Sequence, residues 1–282
     1  MSNLTTMVRA ALPAVPVVNQ LPGIRKDRGP FAGMSRTRSG VEVTREAVDA
    51  YAAVCGFPRK DVVPLTFPHV LAFPLHMEIM GDPQFPWPGV GTVHLENSIT
   101  SRRPVRIGEV LDLTVHVDPA RPHEKGGLVD FRAEARVEGE IVWDSVSTYL
   151  RRGARVDGEP AAGLVLPEPP PGGLIWRLPA DLGRRYAAVS GDRNPIHLYP
   201  WTAKALGFPR QIAHGMWTMA RCVAALENRL PDACTVQVAF KKPVLLPGEV
   251  RFGHEVVGDE HHLSLTRPRD GAPHLVGVIG PA

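Results

Sequence analysis

The segment SGDRNPIH, from Ser190 to His197, restricts the fold most, because no helix can run through it. Gly191 permits a positive φ, and Pro195 keeps Asn194 out of the α region. Asp192 and Asn194 belong to the residue types whose side chains bond the nearby backbone in turns. The segment therefore predicts a rigid, non-helical elbow between two regular elements.

This elbow carries an acid and a histidine. On a helix, Asp192 and His197 would face different directions, whereas a folded elbow brings both into one small volume. A carboxylate and an imidazole at that spacing can hold one water molecule and move its proton. The elbow is therefore a candidate site for general acid-base chemistry.

A second helix is predicted after a loop that contains Gly207 and Pro209. It begins near His214 and ends before Pro231, and its apolar residues recur at steps of three and four, which is typical of a buried amphipathic helix. Gly215 falls in the first turn, where backbone N–H groups lack partners, so its amide is a candidate oxyanion donor. The recurring positions are Met216, Met219, Ala220, Val223, Leu226 and Leu230.

The run YAAVSGDRNPIH, followed by GFPRQIAHGM, resembles the signature of MaoC-like acyl dehydratases and (R)-specific enoyl-CoA hydratases of the hydratase-2 type. This resemblance implies the hot-dog fold, in which an antiparallel sheet wraps a long helix. It also implies that Asp192 and His197 are the catalytic pair and that the Gly215 amide binds the thioester carbonyl. Asn194 and Ala213 are expected to contact the substrate beside them.

The chain also repeats itself. YAAVCG at residues 51–56 returns as YAAVSG at residues 186–191, and the RPV and GEV of residues 103–110 return as the KPV and GEV of residues 242–250. Two matches at nearly one offset indicate a duplicated unit. In the first copy Phe57 replaces the aspartate and no N-P-x-H follows, so that copy is expected to be catalytically silent. We therefore predict a silent N-terminal hot-dog (1–150), a proline-rich linker (151–173) and a catalytic hot-dog (174–282).

The long helix of the silent copy is predicted from Pro68 to Met80. Pro74 is expected to bend or interrupt it and so leave room for an acyl chain. His69 and His76 in this helix have no acidic partner at a useful spacing, so we interpret them as packing or surface residues. In the catalytic copy, Val223 stands where some bacterial members of the family have a serine.

Alternating apolar residues predict antiparallel strands after the helices of each copy. Helices first and strands afterwards is an α+β order, and with the resemblance it gives a double hot-dog: two helix-wrapped antiparallel sheets in one chain, forming a pseudo-dimer. The predicted strands contain residues 111–117, 129–137 and 141–150 in the first copy and 234–240, 250–256, 263–265 and 275–279 in the second.

The composition excludes several partners. A net charge of +3 is too small to indicate nucleic-acid binding, and no stretch reaches the length of a membrane helix. The apolar run of residues 7–18 is interrupted by Arg9, Pro13 and Pro16, which disfavours a signal peptide, so we expect an arm on the protein surface within residues 1–40. Three cysteines without a C-x-x-C, at least two of them in buried positions, favour the reducing cytoplasm.

The function predicted from these features is reversible hydration of trans-2-enoyl thioesters to (3R)-3-hydroxyacyl thioesters in fatty-acid metabolism. No cofactor or metal is expected. The substrate is an acyl-CoA or an acyl-carrier-protein thioester, and a homodimer of the pseudo-dimeric chain is compatible with the fold. Lys241, Lys242 and Arg210 are candidates for binding the phosphates of the carrier, although a lysine pair at a strand end is also typical of a solvated edge.

Three other interpretations of the elbow remain open. Asp192 and Asn194 are compatible with a purely structural turn. Asp192, His197 and His214 are also compatible with an iron site of two histidines and one carboxylate. The third alternative keeps the fold but replaces hydration by thioester hydrolysis or by acyl-thioester binding without turnover.

Overall fold

The computed structural model describes residues 31–89 and 91–282. The apolar run of residues 7–18 and most of the predicted surface arm lie outside the described residues. The last part of that arm, by contrast, belongs to a strand of the sheet, Met34–Glu42.

Strands and helices follow the same order in both halves. The first half consists of β1 (Met34–Glu42), α1 (Arg45–Cys55), α2 (Phe67–Gly81), β2 (Thr92–Ser101), β3 (Val110–Val117), β4 (Arg121–His123), β5 (Gly126–Val137) and β6 (Glu140–Arg152). The second consists of β7 (Gly172–Leu178), α3 (Leu182–Ser190), α4 (Pro200–Ala205), α5 (Gly215–Leu226), β8 (Cys234–Phe240), β9 (Gly248–Val257), β10 (Glu260–Thr266) and β11 (Pro273–Pro281), with short 3₁₀ turns at Pro195–His197 and Glu227–Arg229.

All paired strands are antiparallel and form one continuous sheet in the order β1-β3-β5-β6-β2-β8-β11-β10-β9-β7, with β4 beside β5. This order is symmetric about the junction of β2 and β8, where Glu96 pairs with Ala239 and Ser101 with Cys234. The hydroxyls of Thr100 and Thr235 lie 3.0 Å apart at this junction. The two predicted sheets are therefore joined edge to edge.

The repeated sequence corresponds to a repeated helix end. Gly56 closes α1 with a φ of 84°, and Gly191 closes α3 with a φ of 75°. Their amides donate to the carbonyls of Ala52 and Ala187, at 2.7 and 3.1 Å. Only glycine adopts this left-handed conformation at little cost, so both copies need it at the same place.

The RPV and KPV segments make equivalent contacts as well. The amide of Val63 donates to the carbonyl of Val105, and the amide of Ala213 to that of Val244, both at 2.8 Å. Each contact ties the segment before a long helix to the turn that follows the first strand after that helix. These matched contacts support the predicted duplication.

The predicted helix after His214 and the predicted strands are all present, and α2 coincides with the predicted long helix to within a residue at each end. The predicted interruption of the long helix at Pro74 is wrong, because α2 continues through this residue. Ten of its fifteen residues are buried, and this packing outweighs the backbone hydrogen bond that a proline removes.

Four elements differ from the expectation. Strands β1 and β7 precede the helices, so the predicted order of helices first is wrong, and β7 starts inside the predicted linker. Strand β1 is mostly exposed and β2 carries polar residues on both faces, so neither shows the alternation that a sequence pattern detects. Helix α4 has only six residues and occupies part of the predicted loop.

The core lies between the sheet and the long helices. Nine of the twelve residues of α5 are buried, and the Tyr51 ring of α1 contacts the Tyr186 ring of α3 across the two halves, with centroids 6.2 Å apart. The three cysteines are free and buried, as the sequence predicted for at least two of them. Within residues 31–89 and 91–282, no helix has both the length and the apolar character to cross a membrane.

Candidate active site

The elbow between α3 and α5 is held by hydrogen bonds that each join residues two apart in the sequence. The amide of Asp192 donates to Ser190 Oγ at 3.2 Å, and the amide of Asn194 donates to Asp192 Oδ1 at 3.0 Å. Asn194 Oδ1 in turn accepts from the amide of Ile196 at 3.4 Å and caps the 3₁₀ turn Pro195–His197. The predicted elbow is present, and Asn194 shapes it through its side-chain oxygen.

The elbow brings Asp192 close to two histidines. One carboxylate oxygen of Asp192 and one ring nitrogen each of His197 and His214 lie within 4.8 Å of one another. A water molecule that makes two hydrogen bonds of ~2.8 Å at a near-tetrahedral angle spans about 4.6 Å. His197 is 7% exposed and the Asp192 side chain 24%, so the space between them is sheltered but open on the carboxylate side. This geometry suits one bridging water.

A backbone carbonyl fixes the state of His197. His197 Nδ1 lies 2.8 Å from the carbonyl oxygen of Ile212, which can only accept, so Nδ1 carries the hydrogen and Nε2 keeps its lone pair. Burial lowers the pKa of His197, while the charge of Asp192 and the Ile212 carbonyl oppose this shift. His197 is therefore a neutral imidazole at neutral pH, with Nε2 available to accept a proton.

His214 supports both members of the pair. Its ring stacks on that of His197 with centroids 3.7 Å apart, and its Nε2 donates to the backbone carbonyl of Asp192 at 3.0 Å. Burial, and secondarily the neighbouring His197, lower the pKa of His214 well below the ordinary value. The sequence suggested His214 only as a metal ligand, whereas the structure shows it holding the elbow in place.

These residues fit a two-histidine iron site poorly. The rings of His197 and His214 are only 25° from parallel, so their in-plane lone pairs run side by side instead of meeting at one ion. His214 Nε2 also carries the hydrogen that it donates to the Asp192 carbonyl, and a protonated nitrogen has no lone pair for a metal.

Gly215 is the first residue of α5, where an amide N–H has no acceptor within the helix. A Cβ atom at this position would lie 3.2 Å from the Phe240 ring, so any other residue would press against that ring. The amide of Ala213, in contrast, donates to the Val244 carbonyl and is not free for a substrate. The Gly215 amide, unlike that of Ala213, therefore stays the predicted donor on this segment.

Helix α2 of the N-terminal half carries two buried histidines, and one of them interacts electrostatically with Asp192 of the C-terminal half. His69 and His76 of α2 are 3% and 0% exposed, so they are packing residues and not surface residues. The His76 ring stacks on that of Phe131, with centroids 4.8 Å apart. Burial lowers the pKa of His69 to about 4, against the opposing charge of Asp192, so these two residues of different halves are within electrostatic reach.

The sequence analysis did not identify two further buried residues of the N-terminal half, His94 and Tyr149. The His94 ring of β2 stacks on the Tyr149 ring of β6 at 4.5 Å and contacts the Phe240 ring at 5.0 Å. Burial, and then the charge of Asp192, raise the pKa of Tyr149 above its ordinary value. Both residues lie on strands whose position relative to Asp192 depends on which strands pair. The apolar periodicity of a single sequence does not show that pairing.

The candidate carrier-binding cations are exposed. Lys241 and Lys242 directly follow Phe240 at the end of β8, and their amides are bonded to the carbonyls of His274 and Pro273 at 2.9 and 3.2 Å. Arg210 lies in the loop before the segment that carries His214. All three charges therefore face solvent on segments that adjoin the candidate site.

Comparison with known proteins gives the family. The model of the MaoC-like domain matches residues 177–267. The 3-hydroxyacyl-thioester dehydratase X of Mycobacterium tuberculosis is 37% identical over 286 residues, which cover 99% of this chain and 97% of that protein. The chain belongs to the MaoC-like dehydratase family. The matched region contains the whole elbow and α5.

A further relative and two solved structures are similar to this chain. The (R)-specific enoyl-CoA hydratase of Aeromonas caviae is 36% identical over 75 residues, 25% of this chain and 56% of that protein. The crystal structure of HtdX from Mycobacterium tuberculosis is 35% identical, has a TM-score of 0.79 and matches 88% of this chain and 100% of that chain. A second protein from that organism, described as a double hot-dog, has a TM-score of 0.54 at 12% identity, with coverage of 89% and 97%, which bears on the fold alone. The predicted α+β double hot-dog is confirmed.

Proposed function

We propose that this MaoC-like chain catalyses the reversible hydration of trans-2-enoyl thioesters to (3R)-3-hydroxyacyl thioesters. The observation that carries the proposal is the approach of an Asp192 carboxylate oxygen and a His197 ring nitrogen to within 4.8 Å, on an elbow joined to the helix that starts at Gly215. The names of the relatives support it, because one is a 3-hydroxyacyl-thioester dehydratase and another an (R)-specific enoyl-CoA hydratase.

In the hydration direction, Asp192 and His197 hold the water, and His197 Nε2 accepts one of its protons as the water oxygen bonds to C3. The electrons of the C2–C3 double bond move toward the thioester carbonyl and form an enolate. The Gly215 amide stabilises the developing oxyanion. The enolate then collapses and C2 takes a proton from the Asp192–His197 pair, which restores the starting protonation of the site. Acid-base assistance of this kind is typically worth ~10²–10⁴ in rate.

Delivery of both hydroxyl and proton by one pair gives syn addition. The pair lies on one side of the substrate, so the C3–O and C2–H bonds form on the same face. Dehydration follows the same path in reverse, with the pair removing the C2 proton and protonating the leaving hydroxyl.

The two halves would divide the work. The N-terminal half lacks the acid and histidine of the elbow and would serve to accommodate the acyl chain against α2. Lys241, Lys242 and Arg210 would bind the phosphates of coenzyme A or of the acyl carrier protein that bears the substrate. No cofactor is required for this chemistry. Free cysteines fit a cytoplasmic protein, and the chain would assemble as a homodimer of pseudo-dimers.

The experiment is an absorbance assay of crotonyl-CoA and of a longer enoyl-CoA with purified protein. Asp192→Asn and His197→Gln are each expected to lower kcat by about 10²–10⁴ while the thermal unfolding temperature stays close to that of the wild type. His261→Gln, on β10 outside the site, is the matched control and is expected to retain the wild-type rate.

The same samples separate the alternatives. Loss of the conjugated double bond without release of free thiol supports hydration, whereas thiol release identifies a thioesterase. Saturable binding of enoyl-CoA without any turnover identifies a binding subunit. A near-wild-type rate for Asp192→Asn would disprove the catalytic assignment.

A further inference from the structure

A second concave surface lies on the outer side of α5, where the two halves meet. It is a groove of about 410 Å³ whose lining includes Val54 of α1, Trp176 and Arg177 of β7, Arg185 of α3, and Trp217 and Arg221 of α5. We call it the arginine groove. Arg221 lies six residues after Gly215, which at 1.5 Å per residue is about 9 Å along the helix axis from the candidate oxyanion donor.

The arginine groove contains three cations and no acid among its lining residues. Arg177 forms an ion pair with Glu249 at 3.2 Å, outside the groove. Arg221, by contrast, has no carboxylate within ion-pair distance in the described part of the chain, and its guanidinium lies 4.3 Å from the centroid of the Trp176 ring. Burial lowers the pKa of Arg221, as expected for a cation that is partly desolvated without an anionic partner.

The remaining walls of the groove are apolar. Ile175 and Pro179 contribute exposed aliphatic surface, and Leu178 and Leu182 are buried beside them. Trp217 contributes a ring whose indole N–H is already bonded to the Val54 carbonyl at 3.0 Å. Ile175 is 47% exposed, although it belongs to a strand of the sheet. A half-buried guanidinium beside exposed apolar surface matches an amphipathic anion and matches a fully hydrated ion poorly.

We propose that the arginine groove binds a small amphipathic anion, with its carboxylate or phosphate head on Arg221 and Arg185 and its hydrocarbon part against Ile175 and Pro179. The volume of the groove suits a medium-chain molecule. A guanidinium binds a carboxylate or a phosphate through the same pair of N–H donors, so the groove does not discriminate between these two head groups by charge alone. This site is separate from the elbow, and its occupancy does not depend on turnover.

The test is calorimetric titration of the whole protein with decanoate, decyl phosphate and inorganic phosphate. We expect one saturable site for decanoate or decyl phosphate, with the tighter of the two identifying the source, and at least tenfold weaker binding of inorganic phosphate. Arg221→Met keeps the stem that covers Trp176 but removes the charge, and is expected to weaken binding at least tenfold, or 1.4 kcal/mol. Arg221→Lys should retain more of the affinity than Arg221→Met.

Two controls make the result decisive. Arg229→Met is the same change at an exposed position just beyond α5 and should leave the dissociation constant unchanged. Asp192→Asn should bind decanoate as the wild type does, so the test stands even if the proposed hydratase activity fails. The proposal is overturned if no saturable binding occurs, if Arg221→Met binds like the wild type, if inorganic phosphate binds as tightly as the decyl ligands, or if decanoate is displaced by crotonyl-CoA.

Discussion

Acid should destabilise this protein through the buried histidines of α2. His69 and His76 are 3% and 0% exposed, and neither His76 nitrogen nor Nδ1 of His69 has a hydrogen-bond partner among the described residues. Burial lowers the pKa of His69 to about 4 and that of His76 well below the ordinary value. Both are therefore neutral in the folded protein at a pH where the unfolded chain already binds protons.

The sign and size of the effect follow from linkage. Between the lowered pKa and the unfolded value of about 6.5, the unfolded state holds the extra proton, so stability falls as pH falls. From pH 8 to pH 5, each such histidine costs about 2 kcal/mol of unfolding free energy, nearly independent of the folded pKa provided that this stays well below 5. His69 and His76 together therefore account for a loss of about 4 kcal/mol.

The measurement is urea unfolding at pH 8, 7, 6 and 5, followed by tryptophan fluorescence. His76→Phe keeps the ring that stacks on Phe131 and removes the titrating group, so its loss of stability between pH 8 and 5 should be about 2 kcal/mol smaller than in the wild type. His116→Gln, at an exposed position on β3, should lose as much as the wild type. An identical pH dependence in the wild type and His76→Phe would refute the reasoning.

Three further predictions concern the site. Because burial lowers the pKa of His197, kcat/KM for crotonyl-CoA should stay level as pH falls toward 6.5 and decline only at lower pH, and a decline that begins above pH 7 would contradict a neutral base. Lys241→Glu with Lys242→Glu should raise KM for enoyl-CoA more than it lowers kcat, whereas Arg38→Glu on β1 should change neither, and an unchanged KM in the lysine variant would exclude the phosphate contact. Gly215→Ala keeps the backbone N–H but adds a Cβ atom 3.2 Å from the Phe240 ring, so it should lower kcat by up to ~10² by shifting this amide away from the oxyanion, and full activity would show that the rate does not depend on the position of this amide.

The fold could be predicted in outline because its signals are local. Glycine and proline mark the elbow, and the three- and four-residue steps of α5 and the alternation of β3 and β9 to β11 each depend on a short window. The repeat at residues 51–56 and 186–191 then placed two copies in the chain. Strands β1 and β2 could not be predicted, because their sequences do not alternate between apolar and polar residues and their burial depends on the strands they pair with.

The site was predictable only where it lies on one segment. Asp192 and His197 are five residues apart, so the turn between them suffices to bring them together. His214 is seventeen residues from His197 in sequence, and its support of the elbow depends on where the start of α5 lies relative to α3, whose Tyr186 ring contacts the His214 ring. His69 and Tyr149 come from the other half, and their approach to Asp192 is a property of the assembled sheet.

The junction of β2 and β8 has a consequence for how such a chain can change. In an assembly of two identical subunits, every substitution occurs twice, so a residue that improves the shape of one pocket alters the other in the same way. Joining both copies in one polypeptide removes that restriction. One copy is then free to lose its own acid and histidine and to diversify in contour, while the other keeps the reactive groups unchanged.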